Sequence, residues 1–322
     1  MVYESDDLIV LYKKDNKGIE ILRVYSRSPY VFIPESIDGC LVYKIGDYCF
    51  SETPHIPSGY NVEILDAQKL VYHEAAGNFV EQIELPYTVE SIGRNAFYNC
   101  RKLKNIAVGK DCEEIGGDIF MNCRSLDTLK IHGEVEEKSG VKQILSRYSS
   151  DIEVIYENDG VVSAKIFYPE YTESYDEIAP AHIFGRNITG EGFRARECFA
   201  DGVPDMVQYD KIFEKASAEE SVKTASRMAI DRLYYPVDLA DSAKNQYITY
   251  IKNHEKDIIR NLVLSGKLEL IYFVCSNKFI TAAAYDIGIA IASENEWGEG
   301  AASILKWKHE FCDSIKKKRY AF

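Results

Sequence analysis

Few residues of this chain stand at the spacings that chemistry requires. His73-Glu74 begins the HExxH pattern, in which two histidines one helical turn apart hold zinc and the glutamate acts as base, but the second ligand position is Gly77. Gly190-Glu191-Gly192-Phe193-Arg194-Ala195 has the GxGxxA spacing of a dinucleotide loop. That loop needs a strand before it and a βαβ unit around it; only Ile188 and Thr189 precede it as strand, so a flexible turn is expected. His182, Arg186, Arg194, Arg196 and Cys198 cluster in sequence, and a thiol among cations has a lowered pKa. A surface loop with one buried thiol accounts for the same residues. Neither GxxxxGK[ST] nor GxSxG occurs, and no two of the six histidines sit at metal-ligand spacing. No catalytic residue, metal ligand or cofactor is expected.

Two further patterns have simple explanations. Lys316-Lys317-Lys318-Arg319 is a basic run at the end of the chain, where cations complement a helix macrodipole. Asn187-Ile188-Thr189 spells a glycosylation sequon, which matters only in an exported protein. The 322 residues carry 38 basic and 51 acidic side chains, a net charge of -13, which disfavours nucleic acid and anionic membranes as partners. No apolar run approaches the roughly 20 residues of a membrane span, and the acidic start is unlike a secretory leader. Eight cysteines without a CxxC pair fit neither a disulfide framework nor a zinc knuckle. A cytoplasmic protein with reduced thiols is expected.

The elements that position these residues are read from self-similarity. Ile92-Gly93, Phe97, Asn99-Cys100-Arg101 and Leu103 recur as Ile115-Gly116, Phe120, Asn122-Cys123-Arg124 and Leu126, all displaced by 23 residues. In the flanking strands Ile83 and Leu85 map onto Ile106 and Val108, and these onto Leu129 and Ile131. An earlier copy, Ile33-Pro34 to Phe50, is separated from Ile83 by residues 51–78, where the period is poorly kept and an insertion is expected.

These residues resemble the BspA-type leucine-rich repeat family over about residues 30–131. The resemblance implies a β-rich solenoid in which Phe97 stacks on Phe120 and Asn99-Cys100 on Asn122-Cys123. Gly93 and Gly116 are expected to turn the chain through positive φ, and the asparagines to satisfy backbone groups in the turn. Cysteines one coil apart are about 5 Å apart, within reach of a disulfide, but inward-pointing thiols in a reducing compartment are expected to stay free. A hairpin, Leu8–Tyr12 with Ile19–Tyr25, caps the start. A short helix from Val141 and a strand at Ile152–Tyr156 precede the polar turn Glu157–Gly160, which places the domain boundary near 158.

Residues 159–322 read as a strand at Val162–Phe167, a loop from Tyr168 to Pro180, and then helices. Two helical hairpins close the chain within 255–311, and Ile258 aligns with Ile291 at a displacement of 33. They resemble ankyrin-type helix pairs, without that family's Thr-Pro-Leu-His start. The fold class expected is α+β: an N-terminal leucine-rich-repeat solenoid (1–158) followed by a mostly helical, ankyrin-like region (159–322).

Both resemblances imply a non-enzymatic scaffold with a protein partner. Leucine-rich repeats of this family are known from surface adhesins, which require export. Residues alternating with the inward apolar ones, namely Gln82, Glu84, Asn105, Ala107, Thr128 and Lys130, point outward and form the expected partner-binding strip. The layout is also similar to uncharacterised bacterial leucine-rich repeat proteins found near phage-tail-like gene clusters, which implies a subunit or cargo of a larger assembly. An enzyme with a site in 168–198 is the third reading.

Overall fold

A computed structural model describes residues 1–53, 55–56, 71–178 and 183–312, which fall into two compact units, Met1–Asp205 and Met206–Phe322. The first unit opens with β1 (Val2–Glu4), β2 (Leu8–Lys14) and β3 (Ile19–Ser26), paired antiparallel in that order. The coils follow as β4 (Tyr30–Phe32), β5 (Ser36–Ile37), β6 (Cys40–Ile45), β7 (His73–Glu74), β8 (Gln82–Glu84) and β9 (Ser91–Ile92). They continue through β10 (Asn105–Gly109), β11 (Glu114–Ile115), β12 (Thr128–His132) and helix α1 (Val141–Leu145). Two antiparallel hairpins come next, β13 (Ile152–Asn158) with β14 (Val161–Tyr168), then β15 (Thr172–Ile178) with β16 (Ile183–Thr189). Helix α2 (Gly192–Glu197) and the short pair β17 (Phe199–Ala200) and β18 (Val203–Pro204) complete the unit.

The coils of β4, β8 and β10 each give one strand to each of two sheets, and after β12 helix α1 takes the place of the second strand. One sheet runs β14-β13-β12-β10-β8-β4, the other β1-β2-β3-β6-β9-β11 with β5 on β6 and β7 on β3. The 23-residue period sets Ile83 opposite Ile106 and Ile106 opposite Leu129, and Val31, Val154 and Ile166 extend this row to six aliphatic side chains at most 1% exposed. Removing such a row from water is the main drive for coiling, because no single repeat can bury its own face. At the turn, Phe50, Phe97 and Phe120 stack with centroids 5.4 and 5.5 Å apart, and Tyr148 closes the column edge-on at 5.9 Å. Cys100 Sγ donates to Phe50 O at 3.0 Å and Cys123 Sγ to Phe97 O at 3.1 Å, so each thiol is tied to the coil before its own.

Four sequence expectations are corrected. Gly93 and Gly116 do not have positive φ; the left-handed positions are Tyr48, Asn95, Asn99, Asp118 and Asn122. Glycine is required because coils touch there: a Cβ on Gly116 would lie 2.4 Å from Arg94 N and 2.6 Å from Gly93 C. The asparagines bond to each other, Asn122 Nδ2 to Asn99 Oδ1 at 2.8 Å, which builds a ladder along the exposed edge. The polar turn near 158 lies inside the β13–β14 hairpin, so the chain stays in the same sheet and the compact unit runs on to Asp205. Finally, the expected loop from Tyr168 holds strand β15; its continuation at 179–182 lies outside the described residues.

Two buried arginines close the ends of the stack. Within it, carbonyls of one coil accept from N–H groups of the coil before, as Ala96 O does from Phe50 N and Ile119 O from Phe97 N. The first coil has no predecessor, and Arg23, 1% exposed, donates instead to the carbonyls of Tyr48, Cys49 and Ser51 and to Glu74. At the far end Arg196, 3% exposed, donates to the carbonyls of Tyr148, Ser150, Pro169 and Gly192. Buried polar groups must find partners, and a planar five-donor fork serves several carbonyls at once.

The second unit is helical: α3 (Met206–Glu219), α4 (Val222–Tyr234), α5 (Asp241–Asn253), α6 (Glu255–Leu264), α7 (Leu268–Ser276), α8 (Ala282–Glu294) and α9 (Gly298–Cys312). Ser221 caps α4 by accepting from Thr224 N. Arg232 of α4 forks onto Asp210 of α3 at 2.7 and 3.0 Å, and Tyr247 of α5 donates to the same carboxylate at 2.7 Å. The expected hairpins α6–α7 and α8–α9 are present, but their corners repeat at 30 residues, not 33: left-handed Gly266 answers to left-handed Glu296. Ile258 therefore corresponds to Gly288, whose missing side chain admits Ile259 of α6 to within 2.9 Å of a built Cβ.

Candidate protein-binding face

The parallel register brings the six expected strip residues into two rows. Gln82, Asn105 and Thr128 lie opposite one another, as do Glu84, Ala107 and Lys130. Five of the six are half-buried, but Ala107 is 5% exposed, because its methyl group sits between the longer Glu84 and Lys130 side chains. It forms the floor of the strip and does not project from it. Lys130 Nζ lies 2.9 Å from Glu157, and His132 Nε2 3.9 Å from Glu84. His132 also packs on Tyr87 with centroids 4.7 Å apart. Burial holds its pKa below the ordinary histidine value, with Glu84 opposing, so near neutral pH the ring is uncharged.

The same register continues past the expected strip. Tyr30 lies opposite Gln82 and Phe32 opposite Glu84, and these rings are 51 and 56% exposed. Sequence reading missed them, although the alternation of Tyr30 and Phe32 with buried Val31 and Ile33 marks the same pattern as Ile83 and Leu85. Residues 1–205 carry 21 basic and 35 acidic side chains, net -14, and residues 206–322 carry 17 and 16, net +1. The unit that holds the strip accounts for all of the acidity.

The other sequence candidates are held in structural roles. Glu74 takes Arg23 at 2.7 Å, and His73 pairs with Ser26 across β7 and β3. Arg186 forks onto Glu173 at 2.6 and 3.0 Å, Arg194 lies 3.7 Å from Glu191, and Arg196 is buried among carbonyls. Burial pushes the Cys198 thiol up to about 11, with Asp205 and Glu197 adding to it, which is opposite to an activated nucleophile. The GxGxxA run leaves an antiparallel ribbon and enters a six-residue helix, not a βαβ unit. His182 and Lys316-Arg319 lie outside the described residues. Among the described residues no three His, Cys, Asp or Glu side chains converge on a point, and no helix is long and apolar enough to cross a membrane.

Comparison with known proteins agrees with this geometry in the repeats. Residues 76–140 match the model of the BspA type leucine rich repeat region. No curated protein matches the chain. Among solved structures, a leucine rich cell surface protein from Faecalibacterium prausnitzii A2-165 is 20% identical over 51% of this chain and 44% of that one, with a TM-score of 0.28. The pneumococcal vaccine antigen PcpA is 15% identical over 42% of this chain and 41% of that one, with a TM-score of 0.23. The chain thus spans less than half the length of either structure it matches. Its residues 76–140 are similar to the BspA-type repeats, and the match ends before the helical unit begins.

Proposed function

We propose that the protein is a non-enzymatic, cytoplasmic scaffold that recognises a protein through the outward face of the β4–β14 sheet, with Gln82, Glu84, Asn105, Ala107, Thr128 and Lys130 at its centre. The observation that carries this reading is the two in-register rows, which give one continuous surface on a rigid parallel sheet. Extended surfaces of stacked repeats suit recognition of another chain better than a small molecule. A reducing compartment is supported by Cys100 and Cys123, whose thiols serve as hydrogen-bond donors. The test is a pull-down from the native host with the wild-type chain and with Glu84→Lys and Lys130→Glu. Loss of the same partner from both variants supports the strip, and an unchanged partner set removes it.

One observation favours a second reading, a subunit of a larger assembly. The β15–β16 ribbon pairs with no other described strand, and Tyr175 on it is 63% exposed. An isolated two-stranded ribbon is marginal in water, and packing against a neighbouring subunit would stabilise it. Light scattering separates the two readings: a monomer at all concentrations opposes the second.

A further inference from the structure

Among the described residues the β4–β14 sheet has an open edge at β4, and that edge is built to accept a strand. Pro29 O accepts from Gln82 N and Ile33 N donates to Glu84 O, so the odd-numbered residues of this segment face β8. In a parallel ladder alternate residues direct both backbone groups to one neighbour. The N–H and C=O of Phe32 and the C=O of Tyr30 are therefore directed off the sheet. Ser28 Oγ accepts from Tyr30 N and so caps the fourth group. Pro29 and Pro34 confine the opening to this one strand. Alongside it lies a groove of about 370 Å³ whose walls include Tyr3, Asp7, Ser26, Tyr30, Phe32 and Pro34.

We propose that β4 and this groove form a β-addition site for an extended, positively charged polypeptide segment. The proposal rests on the reading of the sheet as a protein-binding face and names the partner's chemistry. A seventh strand added to β4 would bond to the backbone of Phe32 and Tyr30 and set alternate side chains against the two exposed rings. Charge selects the occupant. Among the described residues no lysine, arginine or histidine lines the groove, Asp7 does, and Arg27 beside it lays its guanidinium over Tyr72 at 4.7 Å. The unit carries a net charge of -14, so a second copy of this chain meets repulsion at the same edge where a cationic segment meets attraction.

The test selects short random peptides displayed on phage against the full chain, with Phe32→Pro as the counter-selected chain. Proline at position 32 deletes the outward N–H and leaves the bonds of Pro29, Val31 and Ile33 to β8 in place. The expected winners alternate apolar and basic residues and bind Phe32→Pro at least about tenfold more weakly, because that variant loses one outward N–H and one exposed ring together. The same loss is expected on the wild-type chain when the synthetic winner is N-methylated on alternate amides, a measurement that holds even if the proline variant misfolds. Acidic winners, winners indifferent to N-methylation, or concentration-dependent dimerisation lost in Phe32→Pro would overturn the proposal. Failure here with strip-dependent capture in the pull-down rejects the edge alone. Peptide addition with a partner set indifferent to Glu84→Lys and Lys130→Glu rejects the strip alone.

Discussion

Replacing Phe97 with alanine tests whether the coils support one another. Phe97 is fully buried and stacked on both faces, against Phe50 at 5.4 Å and Phe120 at 5.5 Å. Phenylalanine-to-alanine changes in cores cost about 3–5 kcal/mol, more where the site cannot collapse. Collapse is resisted here because Phe50 N–Ala96 O at 2.7 Å and Phe97 N–Ile119 O at 3.0 Å fix the coil spacing. Two ring pairs add about 0.5–1.5 kcal/mol each, which places Phe97→Ala at about 4–8 kcal/mol and Phe50→Ala, with one stacked phenylalanine, roughly one pair lower. In urea unfolding, far-ultraviolet circular dichroism follows both units and Trp297 and Trp307 follow the helical unit alone, so the β transition is the part of the dichroism change with no tryptophan counterpart. At a slope of about 1–3 kcal/mol per molar urea, the β transition of Phe97→Ala should fall by at least 1.5 M or so. A cost under about 1.5 kcal/mol, or no coupling between Phe97→Ala and Phe120→Ala in a double-mutant cycle, would refute the column.

Three other outcomes follow from the same coordinates. Gly116→Ala should destabilise by about 1–3 kcal/mol through its clash with Arg94 and Gly93. Gly117→Ala, which meets nothing within 4 Å, should be neutral or stabilising by about 0.4–1 kcal/mol; equal urea midpoints for the two would contradict the contact argument. Arg23→Met leaves the carbonyls of Tyr48, Cys49 and Ser51 without their donor and should cost about 3 kcal/mol or more, with Arg23→Lys recovering only part in thermal melts. His132 has its folded pKa lowered by burial, so the unfolded chain binds its proton more readily; stability from this group is full above the ordinary value of 6.5 and is lost as pH falls through the folded pKa. His132→Gln should flatten the urea midpoint between pH 5 and pH 7.5, with Glu84, Lys130 and Glu157 the charged groups that face the ring.

What was legible in the sequence was whatever repeats. Ile83, Ile106 and Leu129 are identified by period alone, and the register that follows from them fixes where Gln82, Asn105 and Thr128 must lie. The two helical hairpins of the second unit were legible from apolar spacing, but the cap at Ser221 that separates α3 from α4 was not. Long-range partners with no period were not legible. Arg23 meets Ser51 28 residues away and Arg232 meets Asp210 22 residues away, and nothing in either neighbourhood announces the pairing. The role of Gly116 was misassigned because glycine answers two demands, left-handed backbone and close approach, that look identical in one dimension. Ala107 was misassigned because alternation gives the direction of a side chain and not its length relative to Glu84 and Lys130.

The two ends of the stack also explain why the open edge matters. At the start of the solenoid the chain closes one sheet with β3, β2 and β1 and closes the turn with Arg23. At the far end β14 is backed by α2, and Arg196 gathers the last carbonyls. Among the described residues β4 ends its sheet without a further strand, and there two rings more than half exposed stand beside backbone groups directed off the sheet. A sheet end left unpaired by oversight would be a site of uncontrolled association. Here Pro29 and Pro34 bound it, Ser28 caps one of its four groups, and a net charge of -14 repels like copies. Those features limit what can add to the edge without closing it, and the net charge is the one among them that favours a cationic strand.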